Sequence, residues 1–121
     1  MVSVFHILLK IKTKNSNNLT DENKILNLIK DLSKLLRTQI LDESSHKFGP
    51  SGFTAYALLS ESHIAVHTWP EENLVIIDIL SCKKVTPEFK PQLEEKIGIV
   101  FDISESFIDI SEIWHYICQA K

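Results

Sequence analysis

The segment LSESHIAVHTWPEENLVIIDILSC, residues 59–82, concentrates reactive groups in an apolar, strand-like run. It carries two histidines (His63, His67), four acids (Glu61, Glu71, Glu72, Asp78), several hydroxyls and Cys82. Three kinds of chemistry compete for it. His63 and His67, with Cys82 or His46, could offer nitrogen and sulfur to a metal ion. The spacing fits no closed zinc pattern, however, and the second cysteine, Cys118, lies far along the chain. Ser62 or Cys82 could act as a nucleophile with a histidine base. The third reading is structural, because polar residues on the exposed face of an apolar strand need no function.

The elements that would position these groups follow from periodicity. Residues two and four apart in a strand share a face. His63, Ala65 and His67 therefore point one way, and Ser62, Ile64, Val66 and Thr68 the other, subject to a break near Glu61–Ser62. Residues 53–69 read as one or two strands broken near 61–63, and residues 74–82 as a buried strand. Residues 2–12 are rich in β-branched and large apolar types and predict another strand. Residues 13–18 form a polar turn cluster. Ile25, Leu28, Ile29, Leu32, Leu35 and Leu36 then recur at three and four, which predicts an amphipathic helix. Thr20 suits its N-cap, Asp21 and Glu22 its first turn and Arg37 its end. The stretch HKFGPSG, residues 46–52, is loop chemistry. Beyond KKVT the chain looks helical again in the first half of PEFKPQLEEKIGIVFD. Pro87 fits a first turn and Pro91 is awkward. Residues 106–117 are the last strand. The predicted order is β-α-β-β-β-α-β, an α+β two-layer sandwich with an antiparallel or mixed sheet and two helices on one face.

Composition narrows the function classes. A chain of 121 residues, 44% hydrophobic and 24% charged, is ordinary for one globular domain. At this size a core needs no disulfide or metal support. A formal net charge of −3 with no Lys/Arg block argues against nucleic acid and anionic membrane as partners. No apolar run approaches a membrane span, and the N-terminus lacks the pattern of a signal peptide, so a cytoplasmic protein is expected. Two cysteines make no secreted disulfide framework, and Cys118 reads as a small buried hydrophobe.

One resemblance singles out the central stretch. HKFGPSGFTA, SESHIAVHTWPE and DILSC occur in the order and spacing of the S-adenosylmethionine decarboxylase family, in its short bacterial and archaeal form. That pattern is roughly HxF…P.G.SG…(S/A)ESHxxIHTWPE…xD.FTCG, and the unbroken ESHIAVHTWPE block is highly specific. Motif resemblance covers residues 46–82. The flanks agree in length and in helix and strand order. The family's fold agrees with the two-layer sandwich above.

The resemblance implies a proenzyme that cuts itself between Glu61 and Ser62, giving a β chain of residues 1–61 and an α chain of residues 62–121. Ser62 becomes a pyruvoyl group, the covalent cofactor, and no metal is implied. His67 matches the base that takes the Ser62 Cα proton during processing. Thr54 stands where the family usually has a serine that aids processing. The pyruvoyl carbonyl forms a Schiff base with a substrate amine and acts as electron sink. Cys82 matches the proton donor that quenches the carbanion, a role suited to a thiol. Glu71 matches the carboxylate that holds the ribose hydroxyls, and Phe48 the ring that stacks on adenine. His63, next to the pyruvoyl in sequence, is a further substrate-binding candidate or a hydrogen-bonded structural histidine. The family's short members are homodimers of αβ units. An uncovered sheet face supports that state here.

Three departures border the implied pocket. The aromatic and glycine turn after WPE is ENLVI here, Cys-Gly is Cys82-Lys83, and the preceding threonine is Ser81. Relatives that decarboxylate arginine or ornithine through a pyruvoyl group are therefore an alternative. Retained Phe48 and Glu71 favour S-adenosylmethionine and, through it, spermidine biosynthesis. A non-catalytic partner subunit is a further alternative. It predicts loss of Ser62, His67 or Cys82, and all three are present.

Overall fold

Alternating burial along the inner strands gives the sheet one buried face and one open face. The computed structural model describes residues 4–113, so Cys118 and the end of the expected last strand lie outside the described residues. In β1 (Phe5–Thr13), Ile7, Leu9 and Ile11 are fully buried while Lys10 and Lys12 point outward. Helix α1 (Glu22–Leu35) buries Ile25, Leu28, Ile29 and Leu32, the predicted stripe. Its N-cap is Asp21 rather than Thr20. Asp21 is extended, and its carboxylate accepts from the Lys24 N–H at 3.2 Å. Arg37 lies beyond the Leu36 cap, with φ +57.

Residues 40–48 correct the predicted order. They form strand β2 (Ile40–Phe48), antiparallel to β3 (Gly52–Leu59). Only Gly49, Pro50 and Ser51 of the expected loop are turn. The sequence ILDESSHKF shows no apolar alternation because β2 is an edge strand. Its backbone pairs on one side only, and polar side chains are tolerated there.

The remaining elements are β4 (His63–Trp69), a 3-10 turn at Pro70–Glu72, β5 (Leu74–Ser81), α2 (Phe89–Val100) and β6 (Ile103–Glu112). The break in residues 53–69 falls at 60–62, as expected. The observed order is thus β-α-β-β-β-β-α-β. Helix α2 runs on past the half that was predicted. Pro91, not Pro87, sits in its first turn. An amide there has no partner inside the helix, so proline removes no hydrogen bond.

The sheet runs β2-β3-β4-β5-β1-β6, with every neighbouring pair antiparallel. The buried faces of its strands and of both helices form one core cluster. This is the predicted α+β sandwich, and the sheet is antiparallel rather than mixed. The open face is set by register. One row runs Leu58, His63, Leu80 and His6; the next runs Tyr56, Ala65, Asp78 and Leu8. A third runs His46, Thr54, His67, Ile76 and Lys10. No described helix is long and apolar enough to cross a membrane.

Candidate active site

The β3–β4 hairpin places the expected cut site. Leu59 and Ser62 exchange main-chain hydrogen bonds, Leu59 N–H to Ser62 O at 2.9 Å and Ser62 N–H to Leu59 O at 3.5 Å. Ser60 and Glu61 are left at the tip of a two-residue turn. Cys82, just past the end of β5, lies beside this turn. Its N–H donates to Ser62 Oγ at 3.1 Å, and its thiol donates to the Glu61 carbonyl oxygen at 3.1 Å. Cys82 therefore touches both the hydroxyl and the carbonyl that flank one peptide bond. A cavity of about 340 Å³ opens here, lined by Glu61, Ser62, Cys82, Lys83 and Arg37 among others.

His63 faces the open side of the sheet. Its Nε2 lies 3.3 Å from Asp78 Oδ2, and His6 Nε2 lies 2.5 Å from Asp78 Oδ1. The register explains this bridge, because Asp78 on β5 lies between β4 and β1. Burial would raise the Asp78 carboxyl pKa. The hydrogen bonds and charge of His6 and His63 outweigh it and hold the group below its ordinary 3.8.

A second cluster occupies the opposite end of β4. Thr54 Oγ1 and His67 Nδ1 share a hydrogen bond of 2.9 Å across β3 and β4. The His67 and Trp69 rings stack with centroids 6.0 Å apart. Phe48 meets Trp69 edge to face at 5.9 Å. Gly52 permits that arrangement. A Cβ there would come within 2.5 Å of the Thr68 carbonyl oxygen and 3.1 Å of the Phe48 ring. Glu71 projects from the exposed 3-10 turn after β4, which ends at Asn73 in the left-handed conformation.

The structure thus brings Glu61, Ser62, Cys82 and His63 to one end, and Phe48, Thr54, His67 and Glu71 to the other. It does not bring the two groups together within one chain. His67 is five residues beyond Ser62, about 16 Å at the ordinary strand rise. Sequence reasoning left Trp69, Gly52, Asp78 and His6 unassigned. Trp69 and Asp78 lie inside the quoted blocks, so a signal existed for them. A lone histidine in an apolar strand gives none. Among the described residues, no group of three or more His, Cys, Asp and Glu side chains is placed to hold a metal ion.

The comparisons agree on one family. The family model described as S-adenosylmethionine decarboxylase matches residues 5–95. An S-adenosylmethionine decarboxylase proenzyme of Clostridium botulinum (strain Langeland) is 38% identical over 99 residues, 82% of this chain and 85% of that protein. The proenzyme of the same name from Methanococcus maripaludis (strain C5) is 34% identical over 115 residues, 89% of this chain and 93% of that one. The crystal structure of the adenosylmethionine decarboxylase from Aquifex aeolicus superposes with a TM-score of 0.73 at 22% identity, covering 91% of this chain and 89% of that chain. At that identity the likeness speaks for the fold.

Proposed function

Because the chain belongs to the S-adenosylmethionine decarboxylase family, we propose that it is a proenzyme that cuts itself at Glu61–Ser62 and then decarboxylates S-adenosylmethionine. The product would be an aminopropyl donor for spermidine synthesis in the cytoplasm. The observation that carries this reading is the double contact of Cys82 with Ser62 Oγ and the Glu61 carbonyl oxygen.

That geometry supports the following course for the cut. Ser62 Oγ attacks the Glu61 carbonyl carbon. The Cys82 thiol donates to the oxygen on which negative charge develops, the task of an oxyanion donor. The Cys82 N–H holds Oγ in place. The C–N bond to Ser62 then breaks, leaving an ester and a free amine. A base removes the Ser62 Cα proton, the Glu61 carboxylate leaves by β-elimination, and hydrolysis of the resulting dehydroalanine releases ammonia. Cleavage yields chains 1–61 and 62–121. The pyruvoyl group that remains supplies an electron sink for loss of CO2. The residues fit this group, since Cys82 contacts Ser62, whose Cα would become the pyruvoyl carbonyl carbon, through its N–H to Oγ at 3.1 Å. Cys82 would then return a proton to the substrate carbon, a reading its contacts with Ser62 and Glu61 support.

His67 is the processing base, and Phe48 and Glu71 hold the nucleoside, but all three must come from a second copy. A base has to reach hydrogen-bonding distance of its proton, and about 16 Å of strand separates His67 from Ser62 in one chain. A two-fold dimer through the open sheet face solves this, because a self-complementary contact sets one end of β4 against the other end of its partner. That face exposes Tyr56, Leu58 and Phe107 at 40%, 49% and 55%, apolar area that a partner would cover. Each dimer would then contain two composite sites.

Intact mass tests the cut. Purified protein should give two fragments, and a single species at 13.9 kDa would refute processing. CO2 release then identifies the substrate among S-adenosylmethionine, arginine and ornithine. Turnover of an amino acid alone would replace the first choice with the alternative raised by ENLVI and Lys83.

A further inference from the structure

We infer that Arg37 and Lys83 hold the carboxylate of the substrate at the Ser62–Cys82 cavity. This rests on the decarboxylase reading and adds the element that selects an amino acid head group.

The placement starts from covalent geometry. The substrate's amine is held at the carbon that was Ser62 Cα, and its carboxylate sits on the carbon bearing that amine. The carboxylate therefore lies within a few bond lengths of position 62, close to the cavity that Ser62 and Cys82 line. The two cationic side chains lining that cavity are Arg37 and Lys83, and the one acid is Glu61. The cut makes Glu61 the last residue of the first chain and gives it an α-carboxylate, so the substrate's carboxylate would compete with that terminus for the two cations. No other cation among the described residues lines this cavity.

Arg37 reaches the cavity through an unusual backbone. It occupies the position after the α1 cap with φ +57, where glycine is the favoured residue and a side chain costs energy. Its amide is used by the helix end, donating to Lys34 O at 3.0 Å. Its Nη2 donates to Lys84 O at 3.4 Å. That contact ties the guanidinium to the segment after β5 and leaves further N–H donors for a carboxylate. Lys83 follows Cys82 directly and stands where the resembling pattern has glycine. Its amide donates to Ser81 Oγ at 3.1 Å, which fixes the turn that presents it. Both cations are exposed, so they form a loose clamp rather than a buried ion pair. A loose clamp that grips the carboxylate about equally in the bound substrate and in the transition state is uniform binding, so its loss appears in KM rather than in kcat.

The test compares ligands that differ by the carboxylate alone, after intact mass has shown that each variant is cut. In Arg37→Ala/Lys83→Ala the KM for S-adenosylmethionine should rise about 10-fold with kcat near that of wild type. Calorimetry with the thioether analogue of the substrate should show the same loss, and with that analogue lacking its carboxylate no loss. Lys83→Gly with Arg37→Gln repeats the comparison if the alanine pair does not fold. For an enzyme that uses arginine or ornithine, the pair is the amino acid and its own amine. Equal weakening of both ligands, or an unchanged KM, overturns the clamp. A wild-type protein that releases CO2 from none of the three overturns the decarboxylase reading itself.

Discussion

Ser62 and His67 stand at opposite ends of one strand, separated by about 16 Å of extended chain. The serine proposed to be consumed and the base proposed for it cannot meet within one protomer. This relationship gives the proposed dimer a chemical purpose.

Complementation in trans follows. Ser62→Ala alone and His67→Ala alone should each remain at full length. Co-expressed, the His67→Ala chain keeps its own Ser62 and meets the intact His67 of the Ser62→Ala chain. Cleavage of the His67→Ala chain should then reappear, read by mass. No cleavage in a verified mixed dimer would mean that His67 acts within its own chain or not at all.

Cys82→Ala removes the thiol that donates to the Glu61 carbonyl but keeps the N–H on Ser62 Oγ. Self-cleavage should slow by about 100-fold, the ordinary cost of one lost oxyanion donor. Cys82→Ser should retain more of the rate. In cut Cys82→Ala, a side product from transamination should build up on the pyruvoyl group. Clean turnover without it would remove Cys82 from the proton-donor role.

Gly52→Ala inserts a methyl against the Thr68 carbonyl and the Phe48 ring. Overpacking of this kind costs about 1–3 kcal/mol. The Phe48–Trp69 contact should shift with it, raising KM for a nucleoside substrate more than for an amino acid. Thermal denaturation and substrate kinetics check both parts; a wild-type Tm would show that β2 yields freely.

Asp78 carries the pH dependence. Its folded pKa lies below the ordinary 3.8 because His6 and His63 favour its charged form. The stabilisation is therefore present above 3.8 and is lost as pH falls through the lower folded value. Relative to Asp78→Asn, wild type should be more stable at pH 7, and the gap should close in strong acid. A Tm difference that stays constant down to pH 2 contradicts the bridge.

Much of the fold was legible because burial imposes a period on the sequence. The stripe Ile25, Leu28, Ile29 and Leu32 marked α1, and the alternation of Ile64, Val66 and Thr68 fixed which way His63 and His67 point. Edge strand β2 was not legible, since ILDESSHKF is polar and an edge demands little burial. The N-cap of α1 was misplaced by a residue because Thr20 and Asp21 each carry a side-chain oxygen that can accept from the first turn.

The sequence by itself determined which residues are available for chemistry. An ordered block such as ESHIAVHTWPE records residue types and spacing, and these survive without a structure. Only the tertiary structure decided which of them meet. Hydrogen bonding between strands set Cys82 against Ser62 and Asp78 between two histidines, contacts between residues distant in the chain. It also set His67 far from Ser62, although the two are near neighbours in sequence, because an extended strand carries each successive residue further away and cannot fold back on itself.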